Sequence, residues 1–208
     1  MKYYFAISPK SLEDDLISES KRLMSEVYNK KVEKIYYRVK TKNQLDNPRR
    51  SFIKGNGAIL DAELKPHISL VHSIELENIN DFIEKAKKIC SNYDTFSLEF
   101  AGVGNYDMDF TFFVKFKNIP ILEKLRLELL KLSKPFLSDE EYRQHLDADY
   151  IPHVTVLYDD IDPEKVIKAY KLLDVEKFKK PVLVQEILLW EVTASDQKIV
   201  AKLPLRNK

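Results

Sequence analysis

The sequence predicts an α+β protein: a two-lobed duplicated fold with facing antiparallel sheets, pseudo-two-fold symmetric, its helices on the outer faces. Two observations predict it. The order strand, helix, strand, helix, strand can be traced twice along the 208 residues. Each copy also carries a proline, a histidine and a hydroxyl residue in one pattern, Pro66-His67-Ile68-Ser69 and Pro152-His153-Val154-Thr155. A duplicated unit with one like motif per copy places a cleft between two lobes. We therefore expect residues 1–208 to form a single bilobal domain. The first-motif lobe is built around 1–109 and the second around 110–208, and strand exchange between them is compatible with this order.

The elements follow from periodicity and punctuation. Residues 3–7 are aromatic and apolar, a first strand. Ser11-Leu12-Glu13-Asp14 resembles a capping box, and Leu12, Leu16, Leu23, Met24 and Val27 then fall on one helical face. The stretch 29–57 is irregular, with one candidate strand at 35–39, and reads as an insertion in the first half. The first motif opens a strand over 66–72. Ile79, Phe82, Ile83, Ala86, Ile89 and Cys90 recur at three- and four-residue steps, so a helix follows. Strands are expected over 95–103 and 110–116, separated by the turn signal Gly104-Asn105-Tyr106-Asp107. A helix runs through Ile121 to Leu132, a loop crosses 135–149, and the second motif opens a strand over 151–158. Asp162-Pro163 starts another helix, and strands over 181–192 and 198–203 close the chain.

Composition narrows the function. Thirty-four basic and thirty-three acidic residues give a net charge of +1, so no global positive field exists to hold long nucleic acid. Such a partner would be short or would meet a local patch. Cys90 is the single cysteine, which excludes an intrachain disulfide and a cysteine-rich zinc site. The apolar start of the chain is too short for a signal-peptide core, and no apolar run approaches the ~20 residues of a membrane span. A cytoplasmic protein with no membrane contact is expected.

On a strand, residues i and i+2 share a face. His67 therefore lies beside Ser69 and His153 beside Thr155, while Ile68, Leu70, Val154 and Val156 pack inward. Two imidazoles and two hydroxyls facing one another suit a phosphodiester. An imidazole titrates near ~6.5, so one can accept a proton while the other donates. The hydroxyls can donate to the non-bridging phosphate oxygens. Neither His-x-x-x-His nor an acidic cluster flanks the motifs, so no metal and no cofactor is expected.

The paired His-x-Ser/Thr motifs with apolar alternates resemble those of the 2H phosphoesterase superfamily, in particular the 2′-5′ RNA ligase-like and cyclic phosphodiesterase proteins. The resemblance covers most of the chain. It implies the two-lobed fold and metal-independent cleavage or ligation of RNA-type phosphodiesters, commonly the opening of 2′,3′-cyclic phosphates. By motif match it places His67 and His153 as catalytic residues and Ser69 and Thr155 as phosphate-binding ones. The long 29–57 stretch departs from a compact member and leaves the substrate open. The alternatives are a phosphodiesterase of 2′-5′ oligoadenylate or a cyclic dinucleotide, a 2′-5′ RNA ligase, or an RNA-binding module with little turnover.

Other residues have lesser standing. Tyr158 and Tyr150 flank the second motif and are candidates to stack on a base or contact phosphate. Lys65, Arg49 and Arg50, with Lys54, are candidate electrostatic guides for a phosphate, against the plainer reading of a solvated loop. His72 is expected on the face opposite His67, in a structural role, and His145 solvated in a polar loop. Trp190 reads as core or interface packing. Gly102-Val103-Gly104 opens no helix and is no nucleotide fingerprint. The partner expected is a nucleotide or short RNA, with no obligate protein partner, and the chain is expected to be a monomer.

Overall fold

The computed structural model describes residues 2–28, 65–106, 111–147, 149–158, 163–192 and 197–207. The insertion at 29–57, with Arg49, Arg50 and Lys54, lies outside the described residues. The described chain mixes helices with antiparallel sheets, as an α+β fold requires.

Nine strands are present among the described residues: β1 (Lys2–Ile7), β2 (Ile68–Glu75), β3 (Phe96–Leu98), β4 (Phe100–Tyr106), β5 (Thr111–Phe116), β6 (His153–Tyr158), β7 (Val182–Val184), β8 (Glu186–Val192) and β9 (Gln197–Pro204). The helices are α1 (Glu13–Tyr28), α2 (Asn80–Cys90), α3 (Pro120–Ser133), α4 (Asp139–Asp147) and α5 (Pro163–Leu172). The four-stranded sheet has the order β2-β1-β8-β9, the three-stranded sheet β4-β5-β6, and β3 pairs with β7 alone. Each larger sheet thus takes strands from both halves of the chain. β8 and β9 arrive from the C-terminal end to join β1 and β2, and β4 joins β5 and β6.

The strand expected over 95–103 breaks at Glu99, and the one over 181–192 breaks at Gln185, because at each break the chain leaves the β3–β7 pair for a larger sheet. Gly104, Asn105 and Tyr106, expected in a turn, continue β4 opposite Phe113, Phe112 and Thr111. Ser11 does not cap α1. It sits in a 3-10 turn over Lys10–Leu12 and its hydroxyl donates to the Pro181 carbonyl at 3.2 Å.

The loop expected over 135–149 instead holds a 3-10 turn, Lys134–Phe136, and helix α4. A reciprocal cap starts α4: the Ser138 N–H donates to the Glu141 carboxylate at 3.1 Å, and the Glu141 N–H donates to Ser138 Oγ at 3.2 Å. None of its described residues is buried, so it lacks the apolar stripe by which the other helices announce themselves.

Alternation along β1 explains the layering. Tyr3, Phe5 and Ile7 enter the main core with Leu12, Leu16, Leu23 and Val27 from the first helical segment, and Phe82, Ala86 and Cys90 of α2. Phe5 and Phe82 stack at 5.6 Å between ring centroids. Tyr4 and Ala6 point the other way and form a separate small cluster with Leu188 and Trp190 of β8. That second face carries the candidate site. Helix α3 packs on β2, and α1 packs on β6.

Candidate active site

The two motif strands occupy equivalent positions, each at an edge of its own sheet, and β2 and β6 lie against each other. Along both, the expected alternation holds. Ile68, Leu70, Val154 and Val156 are buried, while His67, Ser69, His153 and Thr155 are half-buried. β2 begins at Ile68, so His67 stands one residue ahead of the ladder, whereas His153 is the first residue of β6.

Both imidazoles are held in one way. His67 Nδ1 lies 3.0 Å from the Lys65 carbonyl oxygen, and His153 Nδ1 lies 2.8 Å from that of Ile151. A carbonyl only accepts, so Nδ1 carries the hydrogen in each ring. In the neutral state Nε2 is then the basic nitrogen of both. This arrangement fixes tautomer and ring orientation before any substrate arrives.

Aromatic rings complete the setting. Tyr4 and Trp190 stack on each other at 5.9 Å, and both flank His67, at 5.2 and 6.2 Å between centroids. Phe113 flanks His153 at 4.6 Å. Phe113 is 2% exposed, and its ring passes over Gly104, where a Cβ would meet ring carbons at 2.7 and 2.9 Å. Glycine is required there by close approach. Trp190 is core packing, as expected, but packing directly behind His67.

Burial lowers the pKa of His67 below its ordinary value against the opposing pull of the Lys65 carbonyl, and the charge of His153 lowers it further. Burial also lowers that of His153, again opposed by its carbonyl bond. His67 therefore lies within electrostatic reach of His153 across the gap between the sheets.

The remaining candidates separate. The Tyr150 hydroxyl donates to the Ser69 carbonyl at 3.0 Å, so this residue bridges the two motifs. Lys65 is exposed and meets His67 through its carbonyl. Tyr158 ends β6 opposite Thr111, but its side chain lies outside what is described, as do Arg49 and Arg50. His145 is not solvated in a loop: carried by α4, its ring packs 4.3 Å from that of His72. Ser73, at φ 66°, interrupts the register between β1 and β2, so His72 stands where strand alternation no longer applies. Among the described residues no three His, Cys, Asp or Glu side chains group as metal ligands, and no helix is long and apolar enough to cross a membrane.

Residues 41–196, a span that includes both motifs, match the family model of the 2′-5′ RNA ligase superfamily, and the chain belongs to this family of 2H phosphoesterases. Membership supports phosphodiesterase or ligase-like activity. No curated protein matches the chain by sequence. Among solved structures it resembles Escherichia coli LigT in apo form, with a TM-score of 0.51, 11% identity, and 98% of this chain and 96% of that one covered. The complex of E. coli LigT with NADP+ gives 0.51, 13% identity and coverages of 98% and 97%. A protein described as a phosphoesterase gives 0.50, 11% identity and 98% of both chains. At such identities the likeness is one of fold.

Proposed function

We propose that this protein is a metal-independent phosphodiesterase that hydrolyses 2′,3′-cyclic phosphates of nucleotides or RNA ends, with His67 and His153 as catalytic residues and Ser69 and Thr155 as phosphate anchors. One observation carries the reading. Two imidazoles, each tied through Nδ1 to a carbonyl two residues back and each beside a hydroxyl residue, share an electrostatic environment across two sheet edges.

In this mechanism the phosphate lies between the two Nε2 atoms, its non-bridging oxygens accepting from the Ser69 and Thr155 hydroxyls. The neutral imidazole takes a proton from water as the water oxygen bonds to phosphorus. The bond from phosphorus to one ribose oxygen breaks, and the charged imidazole protonates that oxygen. The product is a phosphomonoester, and the two rings have exchanged protonation states, which solvent restores. Charge on His153 disfavours charge on His67, which favours the singly protonated pair that this chemistry needs. With an RNA 5′-hydroxyl in place of water as the nucleophile and the 3′-oxygen as the leaving group, the same groups would form a 2′-5′ linkage, so a ligase reaction would use the same site. The NADP+ complex of E. coli LigT is in keeping with a ribose-phosphate ligand for this fold.

The test is hydrolysis of 2′,3′-cyclic nucleotides in excess EDTA. Wild type should turn over, and His67→Ala and His153→Ala should each lose roughly 10²- to 10⁴-fold, the contribution typical of a positioned acid or base. Turnover that vanishes in EDTA would refute the metal-independent mechanism. RNA binding that survives both substitutions, with no product from cyclic phosphate, 2′-5′ oligoadenylate or cyclic dinucleotide, would make the protein a binding module.

A further inference from the structure

The two motif strands belong to different sheets, and among the described residues no ladder of backbone hydrogen bonds runs between β2 and β6. The backbone of each sheet therefore does not by itself set how far His67 stands from His153. Side chains between the sheets, the shared core among them, complete the spacing, and acid–base catalysis is sensitive to that distance.

Tyr150 makes the span. Its hydroxyl reaches the Ser69 carbonyl at 3.0 Å, on edge strand β2, two residues after the first histidine. Its own backbone lies three residues before His153, in a segment held at successive points. The Asn118 amide donates to the Tyr150 carbonyl at 3.3 Å, His153 Nδ1 donates to that of Ile151 at 2.8 Å, and the Phe116 N–H donates to that of Pro152 at 2.8 Å. The tyrosine ring is itself held in place. The Arg126 guanidinium lies over it at 4.6 Å, and Arg126 is 3% exposed, bonded twice to Glu123 and once to the His145 carbonyl. Such a braced ring has little freedom, and its hydroxyl is committed to the protein.

We infer that Tyr150, braced by Arg126, is a positioning residue that sets the separation of the two catalytic histidines by tying the second motif to the Ser69 carbonyl of the first. The inference rests on the phosphodiesterase reading for its kinetic consequence, but not for its structural one. It assigns Tyr150 to the geometry of the site rather than to base stacking or phosphate contact.

Tyr150→Phe keeps the ring under Arg126 and removes the bridge. With 2′,3′-cyclic nucleotides, kcat should fall by about tenfold or more while KM stays within roughly twofold, the mark of misplaced reacting groups. Histidine Cε1–Hε1 signals followed by NMR across pH give a readout independent of turnover. In wild type the His67 and His153 titrations should be coupled, and in Tyr150→Phe the coupling should weaken. Lys177→Met, which breaks a remote ion pair, should lower stability and leave the coupling intact. Should Tyr150→Phe not fold, Asn118→Ala releases the same segment and should shift both readouts in the same direction by less. Unchanged kcat with unchanged coupling overturns the inference, and so does a raised KM at unchanged kcat, which makes Tyr150 a substrate contact. If wild type turns over no cyclic nucleotide, the phosphodiesterase reading fails, and the histidine coupling alone decides the bridge.

Discussion

At the scale of single residues, the pH dependence of the proposed reaction follows from where the two imidazoles sit. Burial holds both below the ordinary ~6.5, and repulsion from His153 adds to the effect at His67. A base must be neutral and an acid charged, so kcat/KM, which reports the free protein, should be a bell whose maximum lies on the acid side of pH 6.5. A bound phosphate anion favours imidazolium, so the kcat profile should lie to the alkaline side of the kcat/KM profile. Initial rates from pH 4 to 9 check both. A single-limbed curve, or a kcat/KM maximum above pH 7, would contradict the paired-imidazole mechanism. The motif residues were legible because strand alternation needs only their spacing of two, and that rule survives over residues 67–70 and 153–156. Tyr150 was legible as a neighbour of the site but not as its brace, since the link to Ser69 spans 81 residues of sequence.

At the scale of elements, α1 shows where periodicity stops being informative. Glu19 falls on its buried face, between Leu16 and Leu23, and is fully buried. Burial opposes its charge, yet hydrogen bonds from Arg22, the Asp174 N–H at 3.0 Å and Lys177 at 2.8 Å pull its carboxyl down to about 2. Arg22 also donates to the Leu172 carbonyl at the end of α5. This cluster fastens α1 to the segment following α5 rather than to the site. Glu19→Gln leaves two cations facing a neutral amide, but both are about a third exposed, at 34% and 33%, and can rehydrate. The cost should be about 1–3 kcal/mol, below that of breaking a fully buried pair, with the kinetics of the cleft unaltered. Urea unfolding measures it, and a loss under ~0.5 kcal/mol would show that the cluster adds no net stability. The helices with apolar stripes were all readable. Helix α4 was not, because it buries no side chain, although Ser138-Asp139-Glu140-Glu141 carried its start signal.

At the scale of the whole molecule, repetition in the sequence identified the strands but not their partners. Nothing local in 186–204 says that β8 joins β1 and carries β9 with it, because sheet membership depends on the complete tertiary arrangement. The global consequence that remains is the response of stability to pH. All four histidines, His67, His72, His145 and His153, are held below their ordinary value, chiefly by burial. His72 falls to about 4 through burial and the charge of His145, against the pull of Glu141. An unfolded chain titrates its histidines near ~6.5, so between there and pH 4 it binds more protons than the native state. Stability contributed by these groups is therefore present above pH 6.5 and is lost as pH falls. Glu19 extends the loss further into acid. On the alkaline side, burial raises the Cys90 thiol from 9.0 to about 12, so the unfolded state loses that proton first and stability declines above pH 9. A plateau between pH 6.5 and 9 is expected, with an acid arm that begins near 6.5. Denaturant midpoints measured from pH 4 to 10 test this, and His72→Asn should flatten part of the acid arm. An acid arm that begins only below pH 4.5 would mean that the carboxylates alone govern it. The acid shift argued for the proposed catalytic pair would then lose its basis, because one cause, burial, leads at all four rings.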